Sequence, residues 1–376
     1  MTSPDNLPEM LPDAWIAVSR AALRHNWEAI RTLAGPDVQM ITVVKANAFG
    51  HGAIEAARVF QEAGADFFAV TTPTEALELR NAGIAGRILV FLPLLPGQAA
   101  VVADAGLDLT VCDAAGLKAI ANAGKPMSVH LKADTGMGRL GVLPGDALAL
   151  ARQIVETPGV TLAGVYTHFG RALEADAAHT RAQFAVFERV LADLSAAGVD
   201  PGLRHCANSA ALFRFPEMKL DAVRPGTVLY GQYPSAAVPR SVTFEETWRM
   251  QARIVSVRPV PAGTPIGYGS EFVTRRASTL AVVPVGYADG FSVSPTSAAK
   301  GLRGLKALLR PTPLTLTVRG RCVPVLGRVA MQICTVDVTD VPGVSVGDVV
   351  TVPARRLLAS ARLPRVYADA LPEDRA

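Results

Sequence analysis

Charge of one sign, long apolar runs and paired cysteines are all scarce in this chain of 376 residues. Charged side chains make up only 19% of it, and the net charge of +4 comes from scattered Lys and Arg rather than from a basic tract, so a nucleic-acid partner is not expected. The most apolar stretch, residues 88–102, is interrupted by Pro93 and Pro96 and is too short to span a bilayer, which disfavours a membrane protein.

The few cysteines indicate neither a metal centre nor a disulfide framework. Cys112, Cys206, Cys322 and Cys334 form no CxxC pair and no zinc-ligand spacing, so no metal is predicted. Unpaired cysteines suit a reducing compartment. Residues 1–13 are polar and lack the apolar core of a signal peptide. The expected localisation is therefore cytoplasmic.

The first part of the chain has the pattern of an α/β barrel. From about residue 26 to residue 230, apolar runs at 41–44, 67–70, 88–91, 109–111, 128–132 and 162–166 alternate with helical patterns at 54–63, 73–82, 114–123, 145–156 and 177–197. Continuous apolar strands between amphipathic helices predict parallel strands in βαβ units. About eight such units fit a TIM barrel in size. A doubly wound sheet is the alternative, but no GxGxxG follows the first strand.

The pattern changes near residues 235–240. Beyond them come short strand-like segments at 247–257, 278–284, 314–318, 322–325, 333–338 and 348–352, punctuated by Gly and Pro. These segments predict a mainly β second domain, and the alternation of Ala14, Ile16 and Val18 suggests that the first strand pairs with it. The predicted domains are thus a (β/α)8 barrel over residues 14–238 and a β domain over residues 239–376.

A single lysine ends the first apolar strand of the predicted barrel. Lys45 stands in the segment VVKANAFGHG, residues 43–52. An apolar wall removes water from an amine and lowers its pKa, and a neutral lysine is a nucleophile towards aldehydes. Pyridoxal phosphate is the aldehyde cofactor that uses such a lysine. Taken alone, Lys45 could equally be a surface lysine at a strand end.

Further polar segments lie at the ends of predicted strands, where a barrel collects its catalytic groups, or come later in the chain. They are KADTGMGRLG (132–141), VYTHF (165–169), HCANSA (205–210) and VRPGTVLYG (223–231), joined by GYG (267–269) and PVGYADG (284–290) in the β domain. Singly, each has an ordinary structural explanation, such as a core histidine or a helix cap. Together and in this order, over residues 14–367, they resemble the barrel-type alanine racemases that depend on pyridoxal phosphate.

The resemblance implies two catalytic residues. Lys45 matches the lysine that holds pyridoxal 5'-phosphate as a Schiff base. Tyr268 matches the second base, which reaches the cofactor from the partner subunit of a head-to-tail homodimer. The implied reaction interconverts L- and D-alanine by moving the α-proton of the cofactor aldimine between two opposite faces. The reference pKa of tyrosine is ~10, so a cationic neighbour must lower it for this role.

The resemblance also implies a set of binding residues. The cofactor-binding positions are Arg224 at the pyridine nitrogen, His168 against the ring, Arg139 at the phenolic oxygen, and Ser209, Gly226 and Thr227 around the phosphate. The positions near the substrate, a small amino acid, are Arg139, Tyr287 and Met331. Lys132 matches a lysine that this family often carries as a carbamate. Because arginine stays protonated, Arg224 keeps the pyridine nitrogen free of a proton.

Some positions depart from the family pattern. Phe49 stands where a tyrosine usually bonds the phosphate, and Leu173 stands where an aspartate lines the substrate channel. Residues 352–362 contain no tyrosine, although the family carries a gate tyrosine in this region. These departures leave open a racemase of broad specificity that acts on serine or larger side chains.

Two other classes of function are disfavoured by particular residues. A decarboxylase of similar architecture is disfavoured, because it would place an acidic residue where this chain has Arg224. A non-catalytic protein that carries pyridoxal phosphate, or regulates through it, is disfavoured because both Lys45 and Tyr268 are present.

Overall fold

The computed structural model of the protein describes residues 12–293 and 313–372. Most of the polar segment 1–13, which supports the expected cytoplasmic localisation, lies outside the described residues. The chain divides into two compact units. One runs from Arg20 to Glu246, and the other joins the chain up to Ser19 with the chain from Thr247 onward. Strand β1 (Ala14–Ser19) therefore belongs to the second unit. Across the described ranges, no helix is both long enough and apolar enough to cross a membrane.

The first unit contains a sheet of nine short strands that are all parallel. They are β2 (Gln39–Met40), β3 (Thr42–Val43), β4 (Phe67–Val70), β5 (Arg87–Val90), β6 (Asp108–Val111), β7 (Met127–Lys132), β8 (Val160–Tyr166), β9 (Leu203–Asn208) and β10 (Ala222–Arg224). Only Ile41 separates β2 from β3. Because β2 pairs with β10 while β3 pairs with β4, eight strand positions close into a barrel. The TIM-type barrel is confirmed, and the doubly wound alternative is wrong.

One helix precedes the first strand of this barrel, and others connect the later strands. They are α1 (Arg20–Ala34), α2 (Lys45–Phe49), α3 (Ala53–Glu62), α4 (Pro73–Asn81), α5 (Gln98–Val102), α6 (Ala114–Ala121), α7 (Ala147–Glu156), α8 (Ala178–Ala196) and α9 (Ser209–Arg214). Local chemistry fixes their ends. Helix α4 begins with Pro73 after the N-cap Thr72, whose hydroxyl accepts from the backbone N–H of Glu75 in a capping box.

The barrel interior is filled by side chains from several strands. Ile41, Val43, Phe67, Ala69 and Leu89 form one buried cluster with Ala222. Strands covered on both faces must be apolar throughout, which accounts for the continuous runs in the sequence. Polar groups buried inside this wall are therefore conspicuous, and they include His130, Lys132, His205 and Arg224.

The second unit is built on a sheet of mainly antiparallel strands. They are β11 (Trp248–Arg253), β12 (Ser256–Val260), β13 (Pro265–Ile266), β14 (Phe272–Val273), β15 (Ser278–Val283), β16 (Thr315–Val318), β17 (Arg321–Leu326), β18 (Cys334–Asp337), β19 (Val349–Val352) and β20 (Arg365–Ala368). Of these strands, β13 and β14 pair with each other in a separate two-stranded sheet. The large sheet runs in the order β12-β15-β18-β17-β16-β19-β11-β1-β20, with β1 antiparallel to β11 and parallel to β20. The mainly β class predicted for this part of the chain is confirmed.

Candidate active site

A cavity of about 490 Å³ opens at the carboxyl ends of the barrel strands. Lys45 follows β3, Lys132 ends β7, Arg224 ends β10, and Ser209 follows β9. His168 lies two residues beyond the end of β8. All five line the cavity, together with Arg139, Gly226 and Thr227. The barrel therefore brings the predicted cofactor-binding residues to one place, the end where such folds carry their chemistry.

The lining of this cavity is strongly cationic. Lys45, Lys132, Arg139 and Arg224 contribute to it, and no Asp or Glu side chain is among the described residues that line it. Four cations without a carboxylate among them repel one another unless an anion joins them. The donor set thus fits a ligand with several negative charges, such as a phosphate ester with a phenolate.

Lys45 enters the cavity from an unusual turn. The backbone of Ala46, Asn47, Ala48 and Phe49 is left-handed, with φ between 50° and 54°. Each such residue other than glycine costs roughly 1–2 kcal/mol, so other contacts must hold the turn.

Two side-chain acceptors support that turn. The Glu75 carboxylate accepts from the backbone N–H of Ala46 at 2.7 Å, while its other oxygen accepts from Thr71 and Thr72. The Asn47 side chain accepts from the backbone N–H of Ala53 at 2.8 Å. Glu75 therefore ties the lysine turn to the start of α4.

The surroundings of Lys45 favour its neutral form. Burial lowers the pKa of Lys45, and Arg139 and Arg224 lower it further, against a smaller opposing effect of Glu75. A lower pKa means that more of the amine is unprotonated near neutral pH. The lysine is thereby suited to attack an aldehyde.

Lys132 is more deeply buried than Lys45, and its pKa is lowered further. Burial, followed by the charge of Arg224, lowers the pKa of Lys132 to about 8. Its Nζ lies 5.2 Å from the centroid of the Tyr166 ring. A buried amine that gives up its proton near pH 8 can react with carbon dioxide, forming a carbamate and releasing a proton.

We expect carbamate formation at Lys132 to increase as the pH rises through about 8, because the ammonium form that prevails below this pKa has no lone pair to react. Carbon-13 NMR of protein in labelled bicarbonate should show a carbamate signal that Lys132→Arg abolishes. The same signal in Lys132→Arg, or none at any pH up to 9 with wild-type protein, would contradict the assignment.

The loop that carries Arg139 is organised by one carboxylate. Asp134 accepts hydrogen bonds from the backbone N–H groups of Gly136, Met137, Gly138 and Arg139, at 2.8–3.1 Å. Partial burial raises the pKa of Asp134, but these four donors together bring it below its usual range. The ionised Asp134 therefore fixes the backbone from which Arg139 projects.

Arg224 is buried with neutral partners. Its guanidinium donates to His205 Nδ1 at 2.7 Å and to the carbonyl oxygens of Thr167 and Cys206 at 2.7 and 3.1 Å. His168 Nδ1 lies 3.4 Å away. Burial, with a further contribution from Arg224, lowers the pKa of His168 well below 6.5, so this imidazole is neutral and can accept from the guanidinium.

A small cradle lies beside the Lys45 turn. The backbone N–H of Gly226 donates to Ser209 Oγ at 2.9 Å, and Thr227 follows at the start of a 3-10 turn. A Cβ atom at position 226 would lie 3.0 Å from Phe49 Cζ, so glycine keeps this corner open. Backbone amides and a hydroxyl around an open corner fit the oxygen atoms of a phosphate.

Phe49→Tyr should tighten the retention of pyridoxal phosphate, because the added hydroxyl extends from the ring edge that faces Gly226. One hydrogen bond contributes about 0.5–1.5 kcal/mol, or roughly a two- to tenfold slower loss of cofactor during dialysis. Phe244→Tyr, where Phe244 packs on Tyr233 outside the cavity, is the matched control and should leave retention unchanged. Equal retention in Phe49→Tyr and wild type would mean that this corner does not hold the phosphate.

Three of the predicted residues lie in the other unit. Tyr268 is 70% exposed in the loop between β13 and β14, while Tyr287 and Met331 are 49% and 58% exposed. None of the three lines the barrel cavity. Leu173, the departure noted in the sequence, does line it.

The sequence alone did not assign roles to several residues of the site. Tyr166 lines the cavity and stacks on His205, with ring centroids 4.8 Å apart and planes at 7°. The sequence does contain a signal for Tyr166, because it is the last residue of an apolar predicted strand, and barrels carry their functional groups at such ends. Glu75 and Asp134 accept hydrogen bonds from backbone N–H groups, and such contacts leave no periodic pattern in the sequence.

Comparison with known proteins agrees with this geometry. Residues 18–234 match the alanine racemase N-terminal domain, and residues 247–363 match the alanine racemase C-terminal domain. An alanine racemase from Methanococcus maripaludis is 39% identical over 344 residues, covering 90% of this chain and 88% of that protein.

Solved structures of alanine racemases are also similar to this chain. The crystal structure of alanine racemase from a D-cycloserine-producing Streptomyces lavendulae superposes with a TM-score of 0.83 at 32% identity, covering 96% of this chain and 99% of that one. Alanine racemase from Bacillus anthracis with bound L-Ala-P also gives 0.83, at 29% identity and 96% coverage of both chains. The predicted enzyme class, an isomerase that interconverts L- and D-alanine, is confirmed. The chain belongs to the alanine racemase family.

Proposed function

We propose that this chain binds pyridoxal phosphate in the barrel cavity and racemises alanine there with Lys45 and Tyr268 as its two bases. The observation that carries the proposal is the cavity itself. A lysine with a lowered pKa lies among three further cations, and the described residues around this space include no carboxylate. Such a site suits an aldehyde that carries a phosphate and a phenolate.

Each residue of the cavity has a distinct task towards this cofactor. Ser209 and the backbone at Gly226 and Thr227 would hold the phosphate. Arg139 would face the phenolic oxygen, and Arg224 the pyridine nitrogen. When bound, pyridoxal phosphate supplies an electron sink that acidifies the Cα–H bond of the amino acid.

Racemisation needs proton transfer on both faces of the substrate. The Lys45 amine takes or returns the α-proton on its own face, and the lowered pKa of Lys45 keeps the unprotonated form available. The Tyr268 phenolate would do the same on the opposite face.

We propose that Tyr268 comes from a second copy of the chain. It is mostly exposed, and it lies in a different compact unit from the cavity. Tyr287 and Met331 belong to the same unit, are about half-exposed, and would approach the substrate carboxylate together with Tyr268. The functional assembly in this account is a homodimer with two shared sites.

The direct test is incubation of the full chain, loaded with pyridoxal phosphate, with L-alanine. Chiral chromatography should show D-alanine approaching an equal mixture, and serine should be converted more slowly. A non-catalytic carrier would bind the cofactor, turn yellow, and leave L-alanine unchanged. That outcome would overturn the proposed function while leaving the binding site intact.

We further propose that the enzyme works in the cytoplasm. Cys112, Cys206, Cys322 and Cys334 are all free thiols, as suits a reducing compartment. Fractionation of the producing cells should place racemase activity with cytoplasmic markers.

A further inference from the structure

A chain of contacting side chains, buried except at Arg87, crosses the barrel from the active-site cavity to the opposite end. Arg224 NH1 lies 2.7 Å from His205 Nδ1, and His205 Nε2 lies 2.9 Å from His130 Nδ1. His130 Nε2 lies 3.3 Å from Arg87 NH2, and Arg87 Nε donates to Asp108 at 2.9 Å. We refer to these five residues as the relay.

The two ends of the relay open at opposite ends of the barrel strands. Arg224 is the last residue of β10 and lines the active-site cavity. Arg87 and Asp108 are the first residues of β5 and β6, and they line a second cavity of about 220 Å³. The two histidines between them are fully buried.

The two histidines in the middle of the relay are closely packed. A Cβ atom at Gly164 would lie 2.4 Å from His130 Nδ1, so only glycine leaves room for this imidazole beside β8. His205 stacks on Tyr166, which fixes the plane of the second ring. Burial, followed by the charge of Arg87, lowers the pKa of His130 to about 3, so His130 carries a single ring proton.

Counting protons shows that the relay cannot satisfy all of its contacts. Each guanidinium can only donate, so the outer nitrogens of both rings would have to accept. Each neutral ring has one N–H, which would then point inward on both rings, and two donors would meet at 2.9 Å. At most two of the three contacts that involve the histidines can therefore be hydrogen bonds.

The distances indicate which contact is the weak one. The two shorter contacts, at 2.7 and 2.9 Å, are satisfied together when His205 and His130 both carry their proton on Nε2. The contact left over is the longest, at 3.3 Å between His130 and Arg87. Arg87 has another partner in Asp108, and its guanidinium also lies 4.3 Å from the centroid of the Phe67 ring.

We propose that Arg87 and Asp108 are positioning residues for Arg224, which act by setting the direction of the two imidazole protons between them. Asp108 engages Arg87 and so keeps it from taking the lone pair of His130. The protons then point away from Arg224, and Arg224 keeps its acceptor on His205. The proposal rests on the proposed function only in assigning Arg224 to the cofactor.

The primary test is the tautomer of each ring in the full chain, read by nitrogen-15 NMR of protein labelled at its six histidines. Wild-type protein without added cofactor should show His205 and His130 both protonated on Nε2. A proton on His205 Nδ1 would overturn the proposal, whether or not any variant folds and whether or not the protein is a racemase.

Two variants separate positioning from simple structural support. Asp108→Asn should free Arg87 to bond His130, move both protons to Nδ1, and speed the loss of pyridoxal phosphate roughly tenfold or more, because Arg224 NH1 then faces an N–H of His205 instead of an acceptor. Adding Arg87→Gln to Asp108→Asn should restore Nε2 protonation, because position 87 then carries no guanidinium that competes for the lone pair of His130. Cofactor retention should return to within about twofold of wild type.

A merely structural pair gives a different pattern. The double variant would then be no better than Asp108→Asn, and the tautomers would be the same in all three proteins. That result would overturn the proposal. Rapid cofactor loss from wild-type protein with the expected tautomers would instead count against the cofactor assignment and leave the relay standing.

Discussion

Lys45→Ala should lose racemase activity by about 10⁴-fold or more, because it removes both the covalent anchor of the cofactor and one of two bases. The structure gives a physical reason for the size of the effect. Among the described residues that line the cavity, the one other lysine is Lys132, and that side chain begins at the end of a different strand. Chiral chromatography after incubation with L-alanine measures the loss.

The matched control for this variant is Lys118→Ala, which removes an exposed lysine from α6, outside the cavity. It should keep wild-type activity. Substantial racemisation by Lys45→Ala under cofactor saturation would show that another group holds the cofactor.

Tyr268→Phe should lower racemisation by about 10²–10⁴-fold, because it removes the proton-transfer group of one face and little else. Tyr268 is mostly exposed, so its replacement by phenylalanine should not impair folding. Cofactor binding should also be unaffected, because Tyr268 does not line the barrel cavity. The absorbance of bound pyridoxal phosphate tests that separation.

Mixing the two inactive variants tests whether the bases come from different chains. A hybrid dimer of Lys45→Ala and Tyr268→Phe contains one site with both residues intact, so random exchange of subunits should restore up to about a quarter of wild-type activity. Mixing each variant with itself under the same conditions is the control. Well-mixed hybrids that stay inactive would place both bases in the same chain.

The barrel could be predicted from sequence because both faces of its strands are covered. Strand β4 coincides with the predicted 67–70, and helix α4 begins at the predicted residue 73. Strands β9, β10 and β20 were missed, and of these β10 and β20 have only three and four residues. Short strands bury too few side chains for a period to emerge, and their place is fixed by neighbours distant in sequence.

The site was predicted through the order of its segments rather than through local pattern. Each of Lys45, Arg139 and Arg224 follows or ends an apolar strand, and parallel strands carry such ends to one face. The left-handed turn after Lys45 was not predictable, because Ala46 and Ala48 have no intrinsic preference for positive φ. It depends on Glu75, which comes from the next βα unit.

The most direct test of the account is chemical trapping of the cofactor. Protein loaded with pyridoxal phosphate is treated with borohydride, digested, and mapped by mass spectrometry. We expect one stable pyridoxyl group, on the peptide that contains Lys45, together with loss of racemase activity. Labelling of Lys132 or of any lysine outside the cavity, or a colourless protein that takes up no cofactor, would contradict it.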